Sequence, residues 1–279
     1  MNIIKRFSKA KINKIKTQYL VDKKSLSWLS NDNLVSKDVI LRIFRDNDIK
    51  PRTQSEQCIF DRKYTWDENF FDDLDSWEKM YFLGILYADG YNDEKKGVVA
   101  LKLQEKDRDI LNSLAKLLLK DGDVKLYEYK DLKTGKKDLS LRISSRKLSN
   151  RLVELGCFQK KSFLLQFPLN LIKNKFFNAF VLGYFDGDGC VNISLIRNKW
   201  KVLTVTFIGS KDFSIGLYEF LKTLDINAHI AKMRGCYRVY FSSQEDCCKI
   251  CDFMYDDAKM CLKRKQQKFL DYFTFRKRI

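Results

Sequence analysis

Two aspartates, each followed by a glycine and each closing an uncharged apolar run, are the side chains of this sequence best suited to chemistry. The first run is Phe82-Leu83-Gly84-Ile85-Leu86-Tyr87-Ala88-Asp89-Gly90. The second is Val181-Leu182-Gly183-Tyr184-Phe185-Asp186-Gly187-Asp188-Gly189, which sets Asp89 and Asp188 99 residues apart. No charge interrupts Met80 to Ala88 or Ala179 to Phe185, so each run is expected to be a helix buried all round. Gly84 and Gly183 let one backbone approach another, and Gly90 and Gly189 predict a left-handed residue ending each helix. Asp89 and Asp188 then stand at helix C-termini, where the macrodipole is already negative and an acid is unfavourable without a cation. If the helices pack side by side in parallel, the two carboxylates meet and repel. A hard divalent cation that takes oxygen ligands, Mg2+ or Ca2+, resolves the conflict. The competing reading is two core helices with ordinary Asp-Gly turns, and the recurrence of the same acid-glycine pair weighs against it.

The paired runs resemble the LAGLIDADG motif of the homing endonucleases. VLGYFDGDG is close to the family pattern; FLGILYADG departs from it at Tyr87, where the family often has a second acid. The last acid, the metal-binding one in the family, is present in both copies. The resemblance implies that Asp89 and Asp188 are catalytic metal ligands, with the backbone carbonyls of Ala88 and Gly187 beside them. It implies Mg2+ or Mn2+ as cofactor, with Ca2+ binding without supporting cleavage. Paired metals at a two-carboxylate site activate water, neutralise charge and assist the leaving oxygen of a phosphodiester. Each half would cut one strand across the minor groove and leave short 3′ overhangs. The family also places a lysine near each active site: by position these are Lys263, within Leu262-Lys-Arg-Lys-Gln266, and Lys161, with Lys160 as substitute. The competing role for both is contact with the DNA backbone.

Composition agrees with a polyanionic partner. The chain has 279 residues, 45% hydrophobic and 14% aromatic, and carries a formal net charge of +17 from 53 basic and 36 acidic residues. That length supports two sizeable cores, and a protein this basic is expected to meet nucleic acid; a merely solvated cationic surface is the alternative. Double-stranded DNA is the expected partner of a monomer, with neither a membrane nor a protein partner implied. Ile3 and Ile4 are followed at once by Lys5 and Arg6, so no signal peptide is expected. No run approaches a membrane span. An intracellular chain keeps its 8 cysteines reduced. Of these only Cys248 and Cys251 have zinc-ligand spacing, without a second pair, and buried free thiols are expected. The single histidine, His229, lies in the apparent strand Ala228-His229-Ile230-Ala231 and argues against histidine-based catalysis.

The elements that must position the two acids read as a repeat. Residues 1–24 are basic, with Ile4, Phe7, Ile12, Ile15, Tyr19 and Leu20 at helical spacing. Ser25 to Ser30, a polar break at Asn31 to Asn33, and Ser36 to Phe44 resemble a helix-turn-helix, with Ser36 as N-cap, Val39, Ile40, Ile43 and Phe44 inward, and Lys37, Arg42 and Arg45 outward. Residues 1–63 hold 15 Lys and Arg against 7 Asp and Glu, a net +8. A helical hairpin packed on the main domain is the alternative. Asn47 to Lys63, with Pro51, reads as a linker. The acids Asp67, Glu68, Asp72, Asp73, Asp75 and Glu78 read as capping for the first motif helix.

After the first motif come a strand (Gly97–Leu103), a helix (Asp107–Leu119), a hairpin (Val124–Lys130 and Leu139–Ile143 around Thr134-Gly135-Lys136) and a helix (Ser145–Leu155). After the second come a hairpin (Cys190–Ile196, Val202–Ile208), a helix (Asp212–Leu224), strands Ala228–Met233 and Tyr237–Phe241 around Gly235, a helix (Gln244–Tyr255) and a basic terminal helix (Leu262–Phe275). Asp89 to Asp107 spans 18 residues and Asp188 to Asp212 spans 24, so the second copy is expected to carry a longer first hairpin around Arg197-Asn198-Lys199. The expected class is α+β: two pseudo-symmetric αββαββα repeats, at 64–168 and 169–279, forming a β-saddle, plus the N-terminal helical region 1–63. The saddle would face the duplex, since a two-stranded ribbon fits the major groove, and its cations would supply salt-dependent affinity. Expected DNA contacts are Lys102, Gln104, Lys125, Lys130, Arg142, Arg197, Lys199, Lys201, Lys232, Arg234 and Arg238.

Three functions compete: a metal-dependent, site-specific DNA endonuclease with a long asymmetric target, an RNA-splicing maturase, and a DNA-binding regulator that does not cleave. The intact acids favour the first. Met1 and the lack of a terminal His-Asn pair speak against an intein-borne enzyme.

Overall fold

A computed structural model describes residues 7–61, 64–120, 123–130, 135–159, 163–196 and 200–276. The chain divides into two compact units, Met1–Thr65 and Trp66–Ile279. The first is helical: α1 (Lys9–Leu20), α2 (Leu26–Asp32), α3 (Lys37–Arg45) and α4 (Gln54–Phe60). Ile15 and Tyr19 of α1, Leu29 of α2, and Val39, Ile40, Ile43 and Phe44 of α3 form its core. Arg52 closes the unit by stacking on Tyr19, 3.9 Å from the ring centre, while its Nη2 donates to the Tyr19 and Lys24 carbonyls at 2.9 Å each.

The second unit contains the repeat. Its first half runs α5 (Trp77–Asp89), β1 (Gly90–Asp93), β2 (Val98–Gln104), α6 (Arg108–Leu118), β3 (Tyr127–Lys130), β4 (Lys137–Ser144), α7 (Arg146–Glu154). Its second half runs α8 (Phe177–Asp188), β5 (Gly189–Ile196), β6 (Trp200–Gly209), α9 (Lys211–Thr223), β7 (His229–Met233), β8 (Cys236–Phe241), α10 (Gln244–Tyr255), and α11 (Lys263–Arg276) ends the chain. Both sheets are antiparallel, in the equivalent orders β1-β2-β4-β3 and β5-β6-β8-β7. Each presents one apolar face to its helices: Val99, Leu101, Leu103, Leu139, Leu141 and Ile143 in the first, Val191, Leu203, Val205, Phe207, Val239 and Phe241 in the second. Among the described residues no helix is long and apolar enough to cross a membrane.

Helices α5 and α8 join the halves. A side-chain carbon at Gly84 would overlap the Phe180 carbonyl oxygen and stand 2.9 Å from the Tyr184 nitrogen; one at Gly183 would overlap the Tyr81 carbonyl and stand 2.9 Å from the Ile85 nitrogen. Gly187 meets Ala88 one turn further on. The contacts advance in the same direction along both helices, so the two run parallel and end together. Met80 to Tyr87 and Ala179 to Asp186 are buried throughout, because each helix is enclosed by its partner and by the sheets.

Several expectations need correction. The first half has a strand, β1, that the sequence reading lacked: Gly90-Tyr-Asn-Asp93 is short and polar, and its buried Asn92 is held by the Ser149 and Cys157 carbonyls at 3.0 and 2.8 Å rather than by apolar packing. The supposed linker 47–63 contains α4, which opens on a capping box between Thr53 and Glu56. Gly90 and Gly189 are extended, not left-handed, because each helix passes directly into a strand. What excludes a side chain there is space: at Gly90 it would lie 2.8 Å from the Leu86 Cδ2, and at Gly189 2.7 Å from the Phe185 ring. Of the acidic stretch only Glu78 lies in the first turn of α5, whose N-cap is Ser76; Asp72 and Asp75 pair instead with Lys147 and Lys79 at 3.1 and 2.8 Å. Ser36 stands at the N-cap of α3 but makes no capping hydrogen bond. Of the free cysteines only Cys157 and Cys247 are buried, while Cys58, Cys190 and Cys248 are exposed and Cys236, Cys251 and Cys261 lie between.

Gly84→Ala and Gly183→Ala should each destabilise the second unit by about 1–3 kcal/mol, because a methyl group there forces apart two backbones with no side chain to yield. A denaturant melt of the second unit that is unchanged by either substitution would contradict this packing.

Candidate active site

The shared end of α5 and α8 brings the two motif acids into one locality. Asp89 is the last residue of α5 and is exposed; Asp188 is the last of α8 and is half-buried. Between them lies Gly187, where a side-chain carbon would overlap the Ala88 methyl and stand 3.2 Å from Asp89 Oδ2. Tyr184 senses both acids. Burial, and then the charges of Asp188 and Asp89, push its hydroxyl well above the ordinary tyrosine value, and it donates to the Ile208 carbonyl at 2.8 Å. Among the described residues no group of three or more His, Cys, Asp or Glu side chains gathers to hold a metal. A cation at this end would therefore meet two carboxylates and main-chain oxygens such as those of Ala88 and Gly187. That donor set is all oxygen and fits a hard divalent ion.

Two side chains behind the acids were not legible beforehand. Lys265, 5% exposed, reaches from α11 to the end of α8, where its Nζ donates to the carbonyls of Phe185 at 2.6 Å, Asp186 at 2.8 Å and Gly189 at 2.5 Å, with Gly187 at 3.4 Å. The ammonium thus caps the last carbonyls of α8, sharing that of Phe185 with the Gly189 amide, and opposes the dipole's negative end. Burial pulls its pKa down to about 8, against the attraction of Asp186 and Asp89. Asp186 is 1% exposed, and its Oδ2 accepts from the Tyr81 hydroxyl at 2.7 Å and the Leu262 amide at 2.8 Å. Burial pushes its pKa up to about 6, in opposition to those two hydrogen bonds. At the equivalent position in the first half, Tyr87 is instead a donor, to the Leu155 carbonyl. Arg264, beside Lys265, pairs with Asp107 of the first half at 3.2 Å, so the start of α11 grips both repeats.

The expected lysine Lys263 is exposed and lines a cleft with Lys106, Asp107 and Asp109; the lysine at the motif helix is Lys265, two residues on. Lys160 and Lys161 lie outside the described residues, as do Arg197 and Lys199. Strand register sorts the remaining DNA candidates. Opposite residues of an antiparallel pair share a face. Lys102, Gln104 and Arg142 therefore share the open face of the first sheet with Ala100, Ser140, Tyr127 and Tyr129. There Lys102 pairs with Asp138 at 2.9 Å, and Arg142 lies 5.7 Å from the Tyr127 ring centre. Lys130 alternates to the other face, and Lys125 is exposed ahead of β3.

On the second sheet Arg238 shares the open face with His229, Ala231, Tyr240, Thr206, Thr204 and Asn192. Lys201 and Lys232 have the parity of the core-facing residues Leu203 and Val239, and Arg234 lies in the exposed turn between β7 and β8. The single histidine, His229, is exposed there, tilted on Tyr240. The tyrosines and threonines of these faces were missed, although period-two alternation through Lys102 or Arg238 points to them.

A family model described as "LAGLIDADG-like domain" matches residues 76–155 and 176–253, one repeat each. No curated protein matches the chain. Among solved structures, the homing endonuclease I-WcaI bound to its DNA recognition sequence is similar at 11% identity and a TM-score of 0.51, over 79% of this chain and 94% of that one. The I-LtrWI LAGLIDADG homing endonuclease bound to target DNA is similar at 14% identity and a TM-score of 0.49, over 72% and 91%.

Lys265→Met should lower stability by about 2 kcal/mol, the scale of hydrogen bonds to a charged group, whereas Lys263→Met should leave it unchanged. Equal melting temperatures for the two variants would remove Lys265 from its place at the helix end.

Proposed function

This chain belongs to the LAGLIDADG-like family, and on that premise we propose that it is a site-specific double-strand DNA endonuclease acting by metal-dependent phosphodiester hydrolysis on a long asymmetric target. The observation that carries the reading is the meeting of Asp89 and Asp188 at the common end of two parallel helices, adjoining the strands of two open-faced sheets. The shared fold of I-WcaI, which is bound to its DNA recognition sequence, supports it.

In this reading Asp89 and Asp188, with the carbonyls of Ala88 and Gly187, hold Mg2+ or Mn2+. The bound metal supplies an activated water, neutralises the scissile phosphate and assists the leaving oxygen. Gly187 lets the helix ends approach closely enough for one site to serve both strands. Lys265 fixes the carbonyls at the end of α8, so that the peptide planes beside Asp188 do not drift, and it keeps a positive charge behind two negative ones. The sheets bind the duplex through Lys102, Gln104, Arg142 and Arg238 on their open faces, with phosphate contacts supplying most of the affinity. The two faces differ in residue type: the first carries Lys102, Arg142, Tyr127 and Tyr129, the second Arg238 with Thr204, Thr206 and Asn192 among apolar residues such as Trp200 and Ile208. Two unlike half-sites follow.

Asp89→Asn and Asp188→Asn keep side-chain shape and remove a charged ligand. Each should abolish or severely reduce double-strand cleavage of a mapped target in Mg2+, while a gel-shift titration in EDTA shows binding retained. Full cleavage by either variant would sink the assignment, and binding without cleavage by the unmodified protein would point to a regulator. On the sheet, Arg142→Ala should weaken binding by about 1–3 kcal/mol, and Lys130→Ala, on the opposite face, should not. Equal losses would show that the open face is not the DNA-reading one.

A further inference from the structure

Helices α2 and α3 are joined by the four residues Asn33–Ser36, a turn with two locks. The Asn33 amide donates to the Leu29 carbonyl at 2.9 Å, and the Ser30 hydroxyl donates to the Val35 carbonyl at 2.6 Å. Leu34 sits in that turn at φ 51°, 92% exposed. A leucine held in the left-handed region costs free energy that the surrounding bonds must offset, so the angle between the two helices is fixed rather than incidental. Helix α3 turns Val39, Ile40, Ile43 and Phe44 into the core, which leaves Lys37, Arg42 and Arg45 exposed along its other side. Asp38 and Asp46 lie close by in sequence, yet Lys37, Arg42 and Arg45 form no ion pair among the described residues. On α1, Lys9, Lys11 and Lys14 are exposed as well. A protein partner of ordinary chemistry wants an apolar centre, and this face of α3 has only the half-buried Leu41.

We propose that the first unit is a second DNA reader, with α3 entering the major groove beside the catalytic target. An α-helix fits that groove, and arginine and lysine pair there with guanine edges and flanking phosphates. The lysines of α1 contact the backbone. The inference rests on the reading of the second unit as a DNA endonuclease, because both units then occupy one duplex and the recognised site is longer than the two sheets cover.

The test uses the full-length chain and the triple variant Lys37→Ala/Arg42→Ala/Arg45→Ala on a mapped target extended on both flanks, footprinted in Ca2+ and titrated over a range of salt. The unmodified chain should protect the core site and a separate flanking patch. The variant should lose the patch, bind about 10- to 100-fold more weakly and show a salt slope lower by about 3, while cutting the same bonds at saturation. The three side chains are exposed and make no ion pair, so the melting curve should not move. A footprint and affinity unchanged by the substitutions would overturn the inference and leave the endonuclease reading intact. Flanking protection with no cleavage under any metal would support the inference and overturn that reading. No protected DNA at all would overturn both. If the variant lost affinity only for an RNA duplex, the DNA assignment of this face would be wrong.

Discussion

The backbone contact between Gly84 and Gly183 is the constraint on which the second unit depends. Two helices whose carbonyls and amides touch cannot slide or rotate without collision, so their ends are held in register. Everything beyond those ends inherits that register: the acids at their last residues, the strands that leave directly from Gly90 and Gly189, and the two sheets built on those strands. An interface lined by larger side chains would bury more apolar area, but it would also tolerate repacking.

This closeness has an electrostatic cost at the C-terminal end, where two dipoles and two carboxylates concentrate negative charge. The chain offsets it from behind. Lys265 gathers the carbonyls at the end of α8, and Arg264 reaches across to Asp107 in the first repeat. Asp186 adds a further buried acid, held by the Tyr81 hydroxyl and the Leu262 amide. Its Oδ1 finds no hydrogen-bond partner among the described residues, which is consistent with burial dominating its environment. The start of α11 is therefore fixed to both halves by charge and hydrogen bonds, and it closes the structure at the point where repulsion is greatest.

Much of this was legible because it rests on local rules. Uninterrupted apolar runs marked α5 and α8, and alternation marked β2, β4, β6 and β8. The recurring acid-glycine pairs marked where chemistry would concentrate. The failures share a cause: they lie where distant parts of the chain decide the outcome. The four residues of β1 carry no apolar alternation, and Asn92 is stabilised by carbonyls 57 and 65 residues away. Gly90 suggested a left-handed cap because nothing local revealed β1, and Gly189 because the strand expected from Cys190 begins at the glycine itself. Lys263, Arg264 and Lys265 are consecutive cations, and only the direction of α11 decides that the first faces solvent, the second the other repeat and the third the end of α8. Helix α4 was hidden by a polar composition whose capping box between Thr53 and Glu56 was the one available signal.

The unlike partners of Tyr87 and Asp186 have a consequence for the halves as separable parts. At equivalent positions, the first repeat offers a hydroxyl donor to a carbonyl at the end of its last helix, and the second offers a carboxylate acceptor to an amide at the start of α11. The two joints have opposite polarity, like plug and socket. Each of these joints lies within one repeat, but Asp186 also accepts from Tyr81 of the first repeat, and two copies of the second repeat would put Phe180 in the place of Tyr81 and take that donor away. Although they share a strand order, the repeats have ceased to be interchangeable, and a homodimeric descendant built on the second repeat would need a hydroxyl restored opposite its buried carboxylate.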